Sequence, residues 1–183
     1  MADSPLARLA AAFAALDGET GGALRIAEVP FLIQLNLRVD RPASVGVPLP
    51  AEPNTYARDG ELLVLWLGPD EWLVIAPPDT DDLEQRLRAE LPPGGAVIDV
   101  SAQRTTLRLS GPAVRDVLAR GCALDLHPRV FTGRCAQTMV ARTQAILVEE
   151  AGEFLVLVRS SFAGYLGEWL LDAATEYRSA ALI

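Results

Sequence analysis

The chain lacks lysine entirely, since all sixteen of its basic residues are arginine. A Schiff base between a substrate carbonyl and a lysine amine is therefore excluded. Basic residues are also outnumbered by the twenty-four acidic ones, and the formal net charge is −8 at neutral pH. A phosphate backbone would be repelled by this charge, and no basic stripe interrupts it. We therefore expect no nucleic acid partner.

Histidine and cysteine are almost as scarce. The chain has one histidine, His127, and two cysteines, Cys122 and Cys135. A zinc site needs three or four ligands, and these three residues are spaced unlike any compact site. A Ser-His or Cys-His catalytic device would have to use His127, which no nucleophile elbow accompanies. We predict no catalytic residue and no metal site in this chain, and structural roles for both cysteines.

Long apolar runs and an export signal are missing too. No run approaches the roughly 20 apolar residues that span a bilayer. The first residues lack the basic segment and apolar core of a signal peptide. These absences predict a soluble, cytoplasmic protein without membrane contact.

Strand and helix patterns are what the sequence does contain. The stretch from Ile98 to Gly121 organises the rest. It holds two short strands, Ala96 to Val100 and Thr105 to Leu109, and then helical spacing in which Ser110 or Gly111 could cap the helix. Further strands are predicted at Leu24 to Ile26, Phe31 to Val39, Glu61 to Leu67, Glu71 to Ala76, Gln144 to Glu149 and Phe154 to Arg159. Further helices are predicted at Pro5 to Leu16, Asp79 to Leu91 and Phe162 to Ala174.

The order of these elements predicts an α+β fold. A strand pair, a hairpin and a helix occur twice, about 83 residues apart, which suggests an internal duplication with antiparallel strands in one layer and helices in the other. We assign residues 23–183 to one such domain and residues 1–22 to an N-terminal helix and linker. Leu6, Leu9, Ala10, Phe13 and Leu16 share one face of that helix. Either this face packs on its own domain or the helix is a docking arm for a partner.

Candidate ligand sites are few. Gly18, Gly21 and Gly22 precede a strand, and Gly94 and Gly95 follow two prolines, so neither cluster matches a dinucleotide-binding turn. The three tryptophans could stack on a flat ligand, but core positions explain them better; they are Trp66, Trp72 and Trp169. Asp99, Ser101 and Arg104 could form a polar site, although a buried Asp-Arg pair that stabilises the kink between the strands is the favoured interpretation.

Several short motifs carry a resemblance to a known family. They are Leu67-Gly68-Pro69-Asp70-Glu71-Trp72-Leu73, Asp99-Val100-Ser101 with Arg104-Thr105, Leu109-Ser110-Gly111-Pro112, Gly121-Cys122-Ala123-Leu124-Asp125-Leu126-His127-Pro128, Gly133-Arg134-Cys135-Ala136-Gln137-Thr138 and Ser161-Phe162 with Tyr165-Leu166. Together they cover about Glu61 to Asp172, and the run from Gly121 to Thr138 is the most specific. The chain resembles the folate-binding aminomethyltransferases of glycine cleavage, and more closely the gamma subunits of heterotetrameric sarcosine oxidase.

The resemblance implies a non-catalytic structural or assembly subunit of a four-chain, flavin-dependent enzyme. That enzyme oxidises sarcosine to glycine, forms hydrogen peroxide and passes the one-carbon unit to tetrahydrofolate. The implied partners are the alpha, beta and delta subunits. FAD, FMN, NAD and tetrahydrofolate are expected in the partner subunits, zinc in the smallest, and no cofactor in this chain.

One departure from the aminomethyltransferase pattern supports a silent chain. Those enzymes carry a pair of aspartates where this sequence has about Arg142, Thr143 and Gln144. A cation there cannot accept a proton from folate or stabilise an iminium ion. The alternative that stays open is a stand-alone folate-binding protein of the same fold, and an active aminomethyltransferase ranks last.

Overall fold

The computed structural model describes residues 3–40 and 45–178 of the chain. Residues 1–2 of the predicted N-terminal segment, and residues 41–44 and 179–183 of the predicted domain, lie outside the described residues. The α-helices are α1 (Ala10–Glu19), α2 (Leu83–Ala89), α3 (Val114–Ala119) and α4 (Ser160–Ala173). The strands are β1 (Arg25–Val29), β2 (Ile33–Arg38), β3 (Tyr56–Asp59), β4 (Leu62–Gly68), β5 (Glu71–Ala76), β6 (Ala96–Asp99), β7 (Arg104–Ser110), β8 (Cys135–Val140), β9 (Thr143–Glu150) and β10 (Glu153–Arg159). Short 3₁₀ helices lie at Ala7–Leu9, Ser101–Gln103 and Thr175–Tyr177.

The strands form two five-stranded sheets, with the orders β1-β7-β10-β9-β8 and β3-β4-β5-β2-β6. The strand pairs β1–β7, β7–β10, β9–β10, β2–β5, β2–β6, β3–β4 and β4–β5 are all antiparallel. Separate antiparallel sheets with accompanying helices confirm the predicted α+β class.

The chain divides into two compact units. The first unit contains the described residues up to Pro30, then Arg104–Gly133, then the residues from Gln137 onward. The second unit contains Phe31–Gln103 and Arg134–Ala136.

In the first unit, α1 and α4 contact each other, and α4 also contacts β7 and β10. Small residues on α4 allow this close approach. A Cβ added at Gly167 would lie 2.6 Å from the Leu9 Cδ1 atom and 3.1 Å from the Phe13 Cζ atom. Leu6, Leu9, Phe13 and Leu16 are therefore buried within the first unit, as the first of the two alternatives predicts, whereas Ala10 is exposed. A contact of this helix with a partner stays a prediction.

In the second unit, α2 contacts β6 and one apolar core cluster fills the interior. Trp72 is fully buried there, and its indole N–H donates to the Pro50 carbonyl oxygen over 2.9 Å. Burial of the ring adds apolar area while the N–H keeps a partner.

The two sheets share one strand order. Read from one edge, the second sheet is β3-β4-β5-β2-β6, and the first is β8-β9-β10-β7-β1. A helix follows the hairpin in both units, since α2 follows β5 and α4 follows β10. The final strand in each order comes from the other half of the sequence. In the first sheet β1 pairs with β7, and in the second sheet β6 pairs with β2. This correspondence supports the internal duplication, which stays a prediction.

Several local predictions need correction. No side chain caps α3, so the expected cap by Ser110 or Gly111 is wrong. α2 is shorter than the predicted span Asp79 to Leu91. α1 continues through Gly18, and the Thr20 hydroxyl donates to the Leu16 carbonyl at its end. The edge strands β3 and β8 were not predicted.

Candidate functional site

The predicted polar residues near the kink belong to two different compact units. Asp99 and Ser101 lie in the second unit, where the Asp99 carboxylate accepts hydrogen bonds from the Ser101 backbone N–H over 2.8 Å and from its hydroxyl over 2.5 Å. Ser101 Oγ also accepts the Gln34 N–H. Arg104 belongs to the first unit. Because Asp99 is exposed, a buried Asp-Arg pair is the wrong interpretation.

The three tryptophans belong to two different compact units. Trp66 and Trp72 are cross-strand neighbours in the second unit, where both belong to or pack against its apolar core. Trp169 lies in the first unit beside Gly121, where an added Cβ would come within 2.7 Å of the indole ring. Their surroundings are those of core residues.

His127 is exposed in the loop before β8, and its Nδ1 atom accepts the Arg129 N–H over 3.2 Å. Both cysteines are buried and free. Across the described ranges, no group of three or more His, Cys, Asp or Glu side chains is placed to hold a metal ion. Nor is any helix in those ranges long and apolar enough to cross a bilayer.

Cys135 is protected from reaction by its surroundings. Its Sγ atom lies 3.1 Å from the Thr55 carbonyl oxygen and 3.7 Å from that of Trp66, to which the thiol donates. Burial raises the pKa of the Cys135 thiol from 9.0 to about 11. Since the thiolate is the nucleophile, Cys135 is inert at neutral pH.

This pKa makes a prediction about stability in alkali. The folded thiol holds its proton up to about pH 11, whereas the unfolded thiol loses it near pH 9. The protonated Cys135 thiol therefore contributes fully to the free energy of unfolding below pH 9. This contribution is lost as the pH rises toward 11, by up to about 1.4 kcal/mol per pH unit. We expect urea unfolding at pH 8 and pH 10 to show a steeper loss for the wild type than for Cys135→Ser. Equal losses would contradict the assignment.

The glycine of the turn between β7 and α3 serves chain packing. Gly111 has φ +109, and an added Cβ would lie 2.5 Å from the Ala23 carbonyl oxygen. A carbonyl oxygen is an acceptor, so the space beside this glycine is not the donor-lined cradle that a phosphate requires. This turn does not fit the pyrophosphate of FAD or NAD.

A buried ion pair between β9 and α3 was not predicted from the sequence. Glu149 on β9 is 1% exposed, and its Oε1 atom accepts from the Arg115 Nη2 atom of α3 over 3.1 Å. The same Oε1 accepts the Gly152 N–H over 2.8 Å, and Oε2 accepts the Gly133 N–H over 2.6 Å. The carboxylate therefore ties α3, the loop before β8 and the β9–β10 turn together.

Arg115 completes the same cluster. Its Nη1 atom donates to the carbonyl oxygens of Leu126, over 2.5 Å, and Phe131, over 3.1 Å. Its guanidinium carbon lies 4.9 Å from the centroid of the Phe154 ring, which stacks on Phe131. Both charges are thus compensated, as burial requires. These bonds hold much of the family-specific run from Gly121 to Thr138 in place.

An open groove on the first sheet is the best candidate for a binding site. It consists of two cavities, of about 270 and 340 Å³, that share Met139, Gln144 and Arg159 as lining residues. We name it the arginine groove, defined by Arg104, Met139, Arg142, Gln144, Arg159 and Phe162. Arg104 on β7 and Arg159 on β10 are directly opposite each other in the strand register.

Arg142 reaches the groove from a strained turn. Ala141 and Arg142 form the two-residue connection between β8 and β9, with φ values of 49° and 69°. Positive φ at both positions is the geometry of a type I′ hairpin turn, which normally takes Asn and Gly. The Ala141 N–H donates to the Gly121 carbonyl over 3.0 Å, which holds the turn on the family-specific run.

The groove is suited to binding and offers no acid or base. Its charged lining residues are arginines, and among the described residues that line the two cavities none is aspartate or glutamate. Guanidinium groups do not lose their protons at neutral pH, so they bind anions without transferring protons. Arg142, Thr143 and Gln144, the positions that the resemblance sets opposite the aspartates of the aminomethyltransferases, all line the end of this groove near Phe162. The tetrahydrofolate chemistry of those enzymes does not fit this lining.

Comparison with known proteins places the chain in a family. The model of the sarcosine oxidase gamma subunit family matches residues 39–176. Sarcosine oxidase subunit gamma from Corynebacterium sp. strain P-1 is 37% identical over 96% of this chain and 91% of its own length. The subunit from Corynebacterium sp. strain U-96 is 39% identical over 97% and 92%, respectively.

Solved structures agree with these matches. A chain of the heterotetrameric sarcosine oxidase from Corynebacterium sp. U-96, in complex with pyrrole 2-carboxylate, superposes with a TM-score of 0.88 at 38% identity, covering 100% of this chain and 99% of that one. The glycine cleavage aminomethyltransferase T from Bartonella henselae gives a TM-score of 0.60 at 16% identity, covering 85% of this chain and 48% of that one. The second match confirms the aminomethyltransferase-like fold and no more.

Proposed function

The chain belongs to the sarcosine oxidase gamma subunit family, and from this premise we propose that it is a non-catalytic assembly subunit of a flavin-dependent heterotetramer in the cytoplasm. The complex would oxidise sarcosine to glycine and hydrogen peroxide and pass the one-carbon unit to tetrahydrofolate. The observation that carries the proposal is the arginine groove on the first sheet, whose lining, within the described residues, holds no aspartate or glutamate. A groove that has arginines but no carboxylate to transfer protons is suited to binding a partner.

The cofactors of the complex are proposed to lie in the larger partners. FAD and NAD need a strand-to-helix turn whose backbone N–H groups face a pyrophosphate, whereas Gly111 in the β7–α3 turn faces the Ala23 carbonyl oxygen. We therefore assign FAD, FMN, NAD and tetrahydrofolate to the two larger chains and zinc to the smallest, and we take the partners of this chain to be the alpha, beta and delta subunits. This chain would contribute a binding surface and no reacting group.

Co-expression tests the assembly role. We expect the tagged chain to recover the flavin-bearing subunits in a fixed ratio, with the yellow flavin absorbance in the purified complex. A turnover assay on the isolated chain with sarcosine and tetrahydrofolate should yield no formaldehyde, peroxide or methylene-tetrahydrofolate. Product from the pure chain, or a chain that never joins the others, would refute the proposal.

Calorimetry separates the assembly role from the folate-binding alternative. An assembly subunit should give no heat of binding when the isolated chain is titrated with tetrahydrofolate. Micromolar affinity would instead favour a stand-alone folate-binding protein of this fold.

A further inference from the structure

The arginine groove concentrates positive charge on a chain whose net charge is −8. Arg104 and Arg159 face the same side of the sheet because they are register partners on adjacent antiparallel strands. Arg142 adds a third guanidinium at the turn beyond β8, and it is exposed. This arrangement attracts carboxylates.

Exposed apolar side chains extend the groove. Met139 is 47% exposed and Phe162 48% exposed, and both line it. Tyr165, 44% exposed, lies three residues after Phe162 on α4, so the two rings share a helix face. Met, aromatic residues and Arg are the side chains enriched in the cores of protein interfaces. A small anion would need the guanidinium groups but not this apolar margin.

We infer that the arginine groove is the docking surface for an acidic segment of a larger subunit, with apolar side chains beside its carboxylates. The inference rests on the proposed function and deepens it by naming the surface and the chemistry of the partner. The carboxylates would pair with Arg142 and Arg159, while the apolar side chains would cover Met139 and Phe162. Charge complementarity between these two guanidinium groups and the carboxylates selects this partner.

The strained turn supports the same assignment. Ala141 and Arg142 hold positive φ where Asn and Gly would be favoured. Of these two turn residues, Ala141 is buried and Arg142 is exposed. The turn thus fixes the backbone of Arg142 at the end of the groove.

Charge reversal within the groove tests the inference. We expect the double variant Arg142→Glu/Arg159→Glu, co-expressed with the flavin-bearing subunits, to recover them at least about tenfold less well than the wild type. The matched control is Arg86→Glu on α2, an exposed arginine of the second unit, which should recover them as the wild type does. Recovery by the wild type should also fall as salt rises from about 0.1 to 1 M, because the screening length shortens from about 10 to 3 Å.

Each outcome decides a different point. If the wild type recovers the partners and the double variant does so equally well, the docking surface is wrong while the assembly role stands. If the wild type recovers nothing, the proposed function itself fails. Micromolar binding of inorganic phosphate or succinate to the isolated wild type, lost in the double variant, would replace the docking surface by a small-anion site. Should the double variant melt early by circular dichroism, Arg142→Gln/Arg159→Gln takes its place, with a loss of several-fold expected.

Discussion

Replacing Glu149 by glutamine is expected to destabilise the chain by about 3 kcal/mol, because it breaks a buried ion pair on one side only. Three donors converge on the two carboxylate oxygens, from Arg115, Gly133 and Gly152. A glutamine amide can offer one oxygen, so its NH₂ group would face a backbone N–H across 2.6 to 2.8 Å. Arg115, with 19% of its side chain exposed, would lose its counter-charge. Urea unfolding at pH 7 followed by circular dichroism measures the loss.

Glu153→Gln is the matched control for this prediction. Glu153 lies on the same sheet and pairs with Arg108 over 3.3 Å, but both side chains are about half exposed, at 45% and 51%. Exposed pairs contribute about 0 to 1 kcal/mol, so this variant should unfold within that range of the wild type. Equal effects of the two substitutions would show that the Glu149 pair is not compensated in the way the geometry indicates.

The regular elements were predictable because their periodicity is local. The β4–β5 hairpin consists of two apolar runs on either side of a short Gly-Pro-Asp turn, and the buried face of α4 recurs at helical spacing. Both elements appear close to their predicted bounds. The edge strands were missed for a physical reason: β3 reads Tyr-Ala-Arg-Asp and β8 reads Cys-Ala-Gln-Thr-Met-Val, which are too polar or too mixed to alternate. Their strand geometry comes from pairing with a neighbour.

The binding surface was less predictable because its residues meet only through tertiary structure. Arg104 and Arg159 are 55 positions apart, and they become neighbours because β7 pairs with β10 and not with β6. The sequence pattern joined β6 and β7 into one kinked unit, and the fold places them in different sheets. Glu149 was likewise read as one end of a strand. Its partner Arg115 lies on α3, and no local pattern connects the two residues.

Replacing Gly111 by alanine is expected to cost about 3 kcal/mol, from two causes that a second glycine can separate. The backbone holds φ +109, which costs an L residue about 1 to 2 kcal/mol. An alanine Cβ would also lie 2.5 Å from the Ala23 carbonyl oxygen, which cannot swing away because it accepts the Ala113 N–H over 3.0 Å. Forcing such overlap costs roughly 1 to 3 kcal/mol more.

Gly94→Ala isolates the first cause, since Gly94 holds φ +86 with nothing within 4 Å of an added Cβ. We expect Gly94→Ala to lower the unfolding free energy by about 1 kcal/mol. If Gly111→Ala lowers it by no more than this, the backbone angle alone requires glycine in the Ser-Gly-Pro motif, and the approach of Ala23 does not.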